Sequence, residues 1–178
     1  MKLVILDRDG VINYDSKQFI KSPAEWRPIP GSLDAIARLN QAGYRVVLAT
    51  NQSGVGRGLF DMDMLNAIHD KMHRAVQGAG GRIDAIFYCP HPVDAHCMCR
   101  KPRTGMFERI ASCFNVDLAG VPAVGDTLRD LLAAAAVGAQ PLLVLTGQGT
   151  QTVEAGGLPK GTLVFPDLAA AAQHIMQS

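Results

Sequence analysis

An α/β fold on a mainly parallel sheet is predicted by three observations. Short apolar runs recur at 3–6, 44–49, 83–88, 121–124, 141–145 and 162–165, amphipathic stretches fill most of the gaps, and acids or hydroxyls close several runs. The 178 residues contain no internal repeat or linker, and 48% hydrophobic content suits one domain over 1–178 with a sizeable core.

Leu3-Val4-Ile5-Leu6 is the first strand, and Asp7-Arg8-Asp9-Gly10 follows it directly. Residues 11–31 form a long irregular connection, of the kind that serves as a lid or binding loop. A helix starts near Ser32 and is stopped at Gly43, after which the second strand runs into Thr50-Asn51-Gln52-Ser53-Gly54. The next helix begins near Asp61, the third strand leads into a segment rich in cysteine, and a further helix begins near Gly105. Cys113 on that helix reads as a small buried hydrophobe. The fourth strand ends in Gly125-Asp126-Thr127-Leu128-Arg129-Asp130, with a helix from Thr127 to a stop at Gly138. Leu131, Leu132 and the tract Ala133-Ala134-Ala135-Ala136 are read as core, and a last helix begins near Asp167.

A formal charge of +1 and 6% aromatic residues give no overall field for nucleic acid or an anionic membrane, so an anionic substrate must be held locally. The partner expected is a small molecule, and the chain is expected to be a monomer. Only a four-residue apolar run precedes Asp7 and no run is long enough to span a bilayer, so a cytoplasmic location is expected.

Residues two apart in extended chain point the same way, so Asp7 and Asp9 face one small volume and invite a divalent cation. Asp-Gly also suits an ordinary turn. Thr50 to Gly54 offers a hydroxyl, an amide and N–H groups that can cradle phosphate oxygens, though any strand-to-loop turn favours such residues. Gly54, Gly56 and Gly58 lack the context of a dinucleotide fingerprint. Arg100-Lys101 is a cation pair before a helix, and Asp126 suits either a metal or a helix cap.

The order DxDG, Thr-Asn, Lys, GDxxxD, each after a strand, resembles the haloacid dehalogenase-like phosphatases across nearly the whole chain. The resemblance implies a Rossmann-like three-layer α/β/α architecture. It implies that Asp7 attacks phosphorus and that Asp9 protonates the leaving oxygen and then activates water. Mg²⁺ would be held by the Asp7 and Asp126 side chains and the Asp9 carbonyl, with Asp130 orienting Lys101 or a metal-bound water. Thr50, Lys101 and Arg100 would stabilise the phosphoryl group. Asp7, Arg8, Asp9, Gly10, Asp15, Ser16, Lys17, Gln18, Thr50, Asn51, Gln52, Ser53, Arg57, Arg100, Lys101 and Thr127 are the positions expected to line the substrate pocket.

Cys89-Pro90-His91 with Cys97-Met98-Cys99 supplies three thiolates and an imidazole, a soft tetrahedral set suited to structural Zn²⁺, with His96 as a competing imidazole. Four protein ligands leave no open position, so this metal shapes a loop that runs directly into Arg100 and Lys101. The loop narrows the resemblance to the small, capless histidinol-phosphate and heptose-bisphosphate phosphatase group. Thr50 to Gly58, Asp7 to Asn13 and Cys89 to Pro92 are most similar to its heptose-bisphosphate members, implying removal of one phosphate in the supply of nucleotide-activated heptose. A second phosphate needs cations outside the transfer site, and Lys17, Arg57 and Arg100 are available.

Histidinol phosphate is the nearest rival substrate; its ammonium would favour added carboxylates, but Asp15 and Glu25 are balanced by Lys17, Lys21 and Arg27. More distant readings are a phosphatase of nucleic-acid ends and a zinc-stabilised module that binds phosphate without turnover. His69-Asp70-Lys71-Met72-His73 superficially matches a zinc-protease helix, but Asp stands where Glu is needed and no third ligand follows. Trp26 and Phe19 could contact a sugar, but burying the long loop against the body is the reading preferred.

Overall fold

Strand β1 (Leu3–Leu6) is buried at every position because strands flank it and helices cover both its faces. The computed structural model describes all 178 residues. Five further strands, β2 (Arg45–Asn51), β3 (Ala85–Cys89), β4 (Pro122–Gly125), β5 (Gln140–Val144) and β6 (Leu163–Phe165), complete one parallel sheet in the order β3-β2-β1-β4-β5-β6.

Alternation along the strands sorts the core into two layers. Val4 and Leu6 pack with Val46 and Leu48 against α1 (Ser32–Gln41), α3 (Met62–Gly78) and α7 (Leu168–Gln177). Leu3 and Ile5 pack with Val47 and Ala49 against α4 (Gly105–Phe114) and α5 (Leu128–Ala136). The expected three-layer arrangement is therefore present, with no second domain added to it.

All five helix starts read from sequence are real, and those at Asp61, Thr127 and Asp167 carry side-chain caps, whereas those at Ser32 and Gly105 carry none. Asp61 accepts from the Met64 N–H, Asp167 from the Ala170 N–H, and Thr127 and Asp130 form a reciprocal capping box. Two short helices lack such signals: the single turn α2 (Ser53–Gly56) and α6 (Gly149–Ala155), both stretches of small and polar residues. Four core assignments need correction. On α5, Leu131, Ala133 and Ala134 are buried, but Leu132, Ala135 and Ala136 turn outward with the helical period; Cys113 is likewise exposed on the outer face of α4.

The strand order reverses between β1 and β4, which opens a crevice beyond their carboxyl ends. Leu6 pairs with Val124, and the Asp7 N–H continues the ladder to the Val124 carbonyl at 2.9 Å. Asp7 and Asp126 consequently flank that crevice.

The connection 11–31 wraps over the α3 side. Trp26 is fully buried, Lys71 on α3 donates to the Pro23 and Trp26 carbonyls at 2.6 and 2.8 Å, and Ser32 donates to the Val11 carbonyl at 2.8 Å. Trp26 thus buries the loop as expected. Trp26→Ala should lower the unfolding free energy by about 3–5 kcal/mol in urea titration. Trp26→Phe should cost about half that or less, because the Trp26 indole N–H is buried without a partner.

Candidate active site

A cleft of about 360 Å³ opens at the β1–β4 crevice, and it brings together side chains from four separate strand ends. Asp7, Asp9, Lys101, Asp126 and Asp130 form its floor; Asn51, Gln52, Ser53 and Thr127 lie beside them; Asp15, Ser16, Lys17, Arg57 and Arg100 rise around the mouth.

Lys101 is the hub. Only 2% exposed, its Nζ lies 3.2 Å from Asp7 Oδ1 and 2.7 Å from Asp130 Oδ1, and donates to the Ala49 carbonyl at 2.7 Å. Burial alone would favour its neutral form, but the Asp130 and Asp7 charges keep its pKa above the ordinary lysine value. Asn51 fixes the Lys101 backbone from both sides, accepting its N–H at 3.0 Å and donating to its carbonyl at 3.2 Å.

Asp130 has little capacity left for a further ligand. Its Oδ2 accepts the Asp126 N–H, the Thr127 N–H and the Thr127 hydroxyl, while Oδ1 faces Lys101. Thr127 accordingly turns its hydroxyl to Asp130. Asp7 and Asp126 are under the opposite pressure. Burial first, and then the Asp130 charge, push Asp7 up to about 7 and Asp126 up to about 9. Ligand atoms of Asp7, Asp126 and Asp130 lie within 4.8 Å of one another. A hard dication among these oxygens would relieve that repulsion, so the donor set fits Mg²⁺.

Two glycines permit this crowding. A Cβ at Gly10, where φ is +80°, would lie 2.0 Å from Asp126 Oδ2; at Gly147, φ +58°, it would lie 2.2 Å from the same oxygen. The Gly147 segment then holds the site together: Thr146 donates to the Gly10 carbonyl at 2.6 Å, and the Gln148 N–H reaches Asp126 Oδ2 at 2.8 Å. The Gln148 amide also donates to Asp15 Oδ2 at 2.8 Å.

Asp9 is held differently. Its Oδ1 accepts Arg8 Nε and Nη2 at 3.0 and 2.8 Å and Asn13 Nδ2 at 2.9 Å, whereas Oδ2 accepts only Gln52 Nε2 at 3.1 Å. Burial works against its charge, but Arg8 and these hydrogen bonds hold its carboxyl below the usual range.

Four positions expected in the pocket lie elsewhere. Arg8 is fully buried behind the cleft in its ion pair with Asp9; Thr50 is buried just beneath the lining, accepting from Gln52 Nε2 at 3.0 Å. Gly10 contributes only backbone under Asp126, and Gln18 lines an adjacent groove with Tyr14, Lys21, Glu25 and Arg27. Phe19, expected to bury the loop, instead lines the cleft at φ +65° with the Arg57 guanidinium 5.6 Å from its ring centroid.

Ile20, Val93, Arg129 and Gln148 line the cleft without having been singled out in the sequence. Arg129 had one signal: it is a cation in the first turn of α5, where the helix dipole favours anions. Arg57, Arg100 and Arg129 have no carboxylate within salt-bridge reach. Burial, then Arg129 and Arg57, depress the Arg100 pKa, and Arg100 Nη1 is buried without a hydrogen-bond partner. This corner of the cleft is built for an anion.

Beside it, Cys89 Sγ lies 3.5 Å from His91 Nδ1, 3.6 Å from Cys97 Sγ and 3.0 Å from Cys99 Sγ, and His91 Nδ1 lies 3.2 Å from Cys99 Sγ. A zinc–sulfur bond of about 2.3 Å implies tetrahedral edges of about 3.8 Å, so this cluster fits Zn²⁺. His91 is the imidazole in it; His96 is absent from the cluster. The loop is docked on β2 and α2 by the Gln52 N–H to the Cys89 carbonyl and the Gly56 N–H to the Pro90 carbonyl, at 2.7 and 2.8 Å.

Two family models match the chain: HAD-hydrolase-like over residues 98–171, and polynucleotide kinase 3 phosphatase over residues 2–127. A D-glycero-β-D-manno-heptose-1,7-bisphosphate 7-phosphatase from Bordetella bronchiseptica is 64% identical over 177 residues, covering 99% of each chain. One of the same name from Pseudomonas putida is 53% identical, covering 99% of this chain and 100% of its own. Among solved structures, the B. bronchiseptica D,D-heptose 1,7-bisphosphate phosphatase complexed with magnesium and phosphate has a TM-score of 0.98 at 64% identity, over 99% of each chain. The corresponding phosphatase from Burkholderia thailandensis has a TM-score of 0.81 at 56% identity, over 100% of each.

Elemental analysis should find one zinc per chain, lost in Cys99→Ser. Stripping zinc with a chelator that spares magnesium should lower the melting temperature by several degrees and lower turnover, because the loop leads into Arg100 and Lys101. Unchanged melting and turnover would show that the loop holds its shape without metal.

Proposed function

This chain belongs to the haloacid dehalogenase-like phosphatases, in the family of the D-glycero-β-D-manno-heptose-1,7-bisphosphate 7-phosphatases, and from that membership we propose that it hydrolyses the 7-phosphate of the heptose bisphosphate. The observation that carries the substrate assignment is the pairing, in one cleft, of the Asp7–Lys101–Asp126 floor with the unpartnered Arg57, Arg100 and Arg129 corner. One phosphate occupies the floor and the other the arginine corner. Histidinol phosphate would bring an ammonium toward those guanidiniums, a repulsive arrangement.

Asp7 and Asp126, with the Asp9 carbonyl, would hold Mg²⁺, which supplies charge neutralisation of the phosphoryl oxygens. An Asp7 carboxylate oxygen forms a bond to phosphorus as the bond to the sugar oxygen breaks, giving an aspartyl-phosphate. Asp9, ionised in the free site, takes up a proton as the negative phosphate binds beside it and delivers that proton to the departing sugar oxygen. It does so from Oδ2, since Oδ1 already accepts three N–H groups. Water then attacks phosphorus, Asp9 Oδ2 takes its proton, and inorganic phosphate leaves with the Asp7 carboxylate restored.

Lys101 stays charged between Asp7 and Asp130, and so offsets the negative charge that the phosphate brings. The Asn51 and Ser53 segment would support the phosphoryl oxygens, with Thr50 bracing the Gln52 amide from beneath. Asp15, tethered by Gln148, presents an acceptor for sugar hydroxyls. The chain is proposed to act as a monomer. The thiols of Cys89, Cys97 and Cys99, gathered with His91 as metal ligands, fit a reducing, cytoplasmic setting for a biosynthetic role before nucleotide activation of the sugar.

On one purified preparation, kcat/KM for heptose 1,7-bisphosphate should exceed that for histidinol phosphate, with phosphate released from carbon 7. Arg129→Ala should raise KM for the bisphosphate by about ten- to a hundred-fold, as expected for losing a charge-assisted hydrogen bond. It should change turnover of a heptose 7-monophosphate little. A preference for histidinol phosphate, or equal losses on both sugars, would reject the assignment.

A further inference from the structure

The helical pair His69 and His73 does not form a metal site, yet His69 is not idle in the fold. It sits on the inner face of α3, 7% exposed, and its Nε2 lies 3.1 Å from Arg8 Nη1. Arg8 is itself fully buried. Its Nε and Nη2 are spent on Asp9 Oδ1, and for Nη1 the partner is His69. A guanidinium only donates, so Nε2 must be the unprotonated acceptor and the ring must be the Nδ1–H tautomer. Burial, and then the Arg8 charge, push the His69 pKa down to about 3, which keeps the ring neutral at working pH.

We propose that His69 is a positioning residue for Asp9, acting through Arg8: by accepting from Arg8 Nη1 it fixes the plane of the guanidinium that grips Asp9 Oδ1, and so aims Asp9 Oδ2 into the cleft. Arg8 fills the space between α3 and the Asp7–Gly10 turn, so losing this acceptor leaves a buried N–H unsatisfied at its far end. The guanidinium then turns toward another acceptor and takes Asp9 with it. The same helix holds the overlying loop two residues later, where Lys71 donates to the Pro23 and Trp26 carbonyls. One helix, α3, therefore sets both the acid and the loop that covers it.

The inference rests on Asp9 being the acid of the proposed phosphoryl transfer, and the leaving group provides the test. A sugar alkoxide needs a proton to depart, whereas p-nitrophenolate does not. In rapid-quench first turnovers, His69→Leu should slow sugar release from the bisphosphate about ten-fold or more, with p-nitrophenol release from p-nitrophenyl phosphate within about two-fold of wild type. His69→Gln, which keeps an acceptor, should recover most of the sugar rate. A purely structural role would lower both substrates together. That result, no loss on the sugar, or His69→Gln as slow as His69→Leu would overturn the proposal. Should His69→Leu not fold, ¹⁵N shifts of the wild-type imidazole decide: a neutral Nδ1–H ring between pH 5 and 8 is expected, and a proton on Nε2 would overturn it. A wild type that ignores the bisphosphate but hydrolyses another alkyl phosphate would sink the substrate assignment alone, and the same contrast on that alkyl phosphate would still judge His69.

Discussion

A buried lysine between two carboxylates organises this molecule. Lys101 Nζ joins Asp7 from the end of β1, Asp130 from the first turn of α5 and the Ala49 carbonyl from β2, with almost no access to water. Removing it would leave two acids buried a short distance apart, with Asp126 beside them already pressed toward protonation. A buried ion pair of this kind is a poor source of net stability, because desolvation consumes most of the Coulombic gain. Its value is positional: it holds the Asp7 carboxylate at a fixed place and favours its charged form, at the crevice where the strand order reverses.

The rest of the site follows from filling space around that charge. Gly10 and Gly147 are required because any side chain there would displace Asp126. The zinc loop carries the chain from the end of β3 back over β2, and delivers Arg100 and Lys101 in succession, one to the mouth of the cleft and one to its floor. Three guanidiniums without carboxylates then make a second anion-binding pocket a short way from the first. A phosphatase that keeps its floor and changes this corner would keep its chemistry and change its substrate, which is why the corner rather than the catalytic acids identifies the bisphosphate.

Much of this was legible in the sequence. The apolar runs located all six strands, since a fully covered parallel strand must be apolar on both faces. Asp7, Asp9, Lys101 and Asp126 could be read because strand ends at a switch point are where side chains converge. The zinc ligands were legible from spacing. What escaped depended on long-range packing. Arg8 was counted with the pocket because its neighbours are there, but alternation sends its side chain inward, to His69 some sixty residues away on α3. Gln148 and Arg129 reach the cleft from segments whose composition is ordinary for loops and helix starts, although a cation in the first turn of α5 was a usable hint. Leu132, Ala135 and Ala136 show the limit of reading an apolar tract as core when a helix buries only one side.

The account stands on Asp7 forming a bond to phosphorus. Turnover of labelled bisphosphate, quenched in acid at the time of maximal bound label and followed by peptide mapping, tests this directly. The label is predicted on the peptide that contains Asp7, lost on treatment with hydroxylamine as an acyl phosphate should be. Full turnover with no label on Asp7 at any quench time would show that water attacks the substrate directly, and would contradict the account.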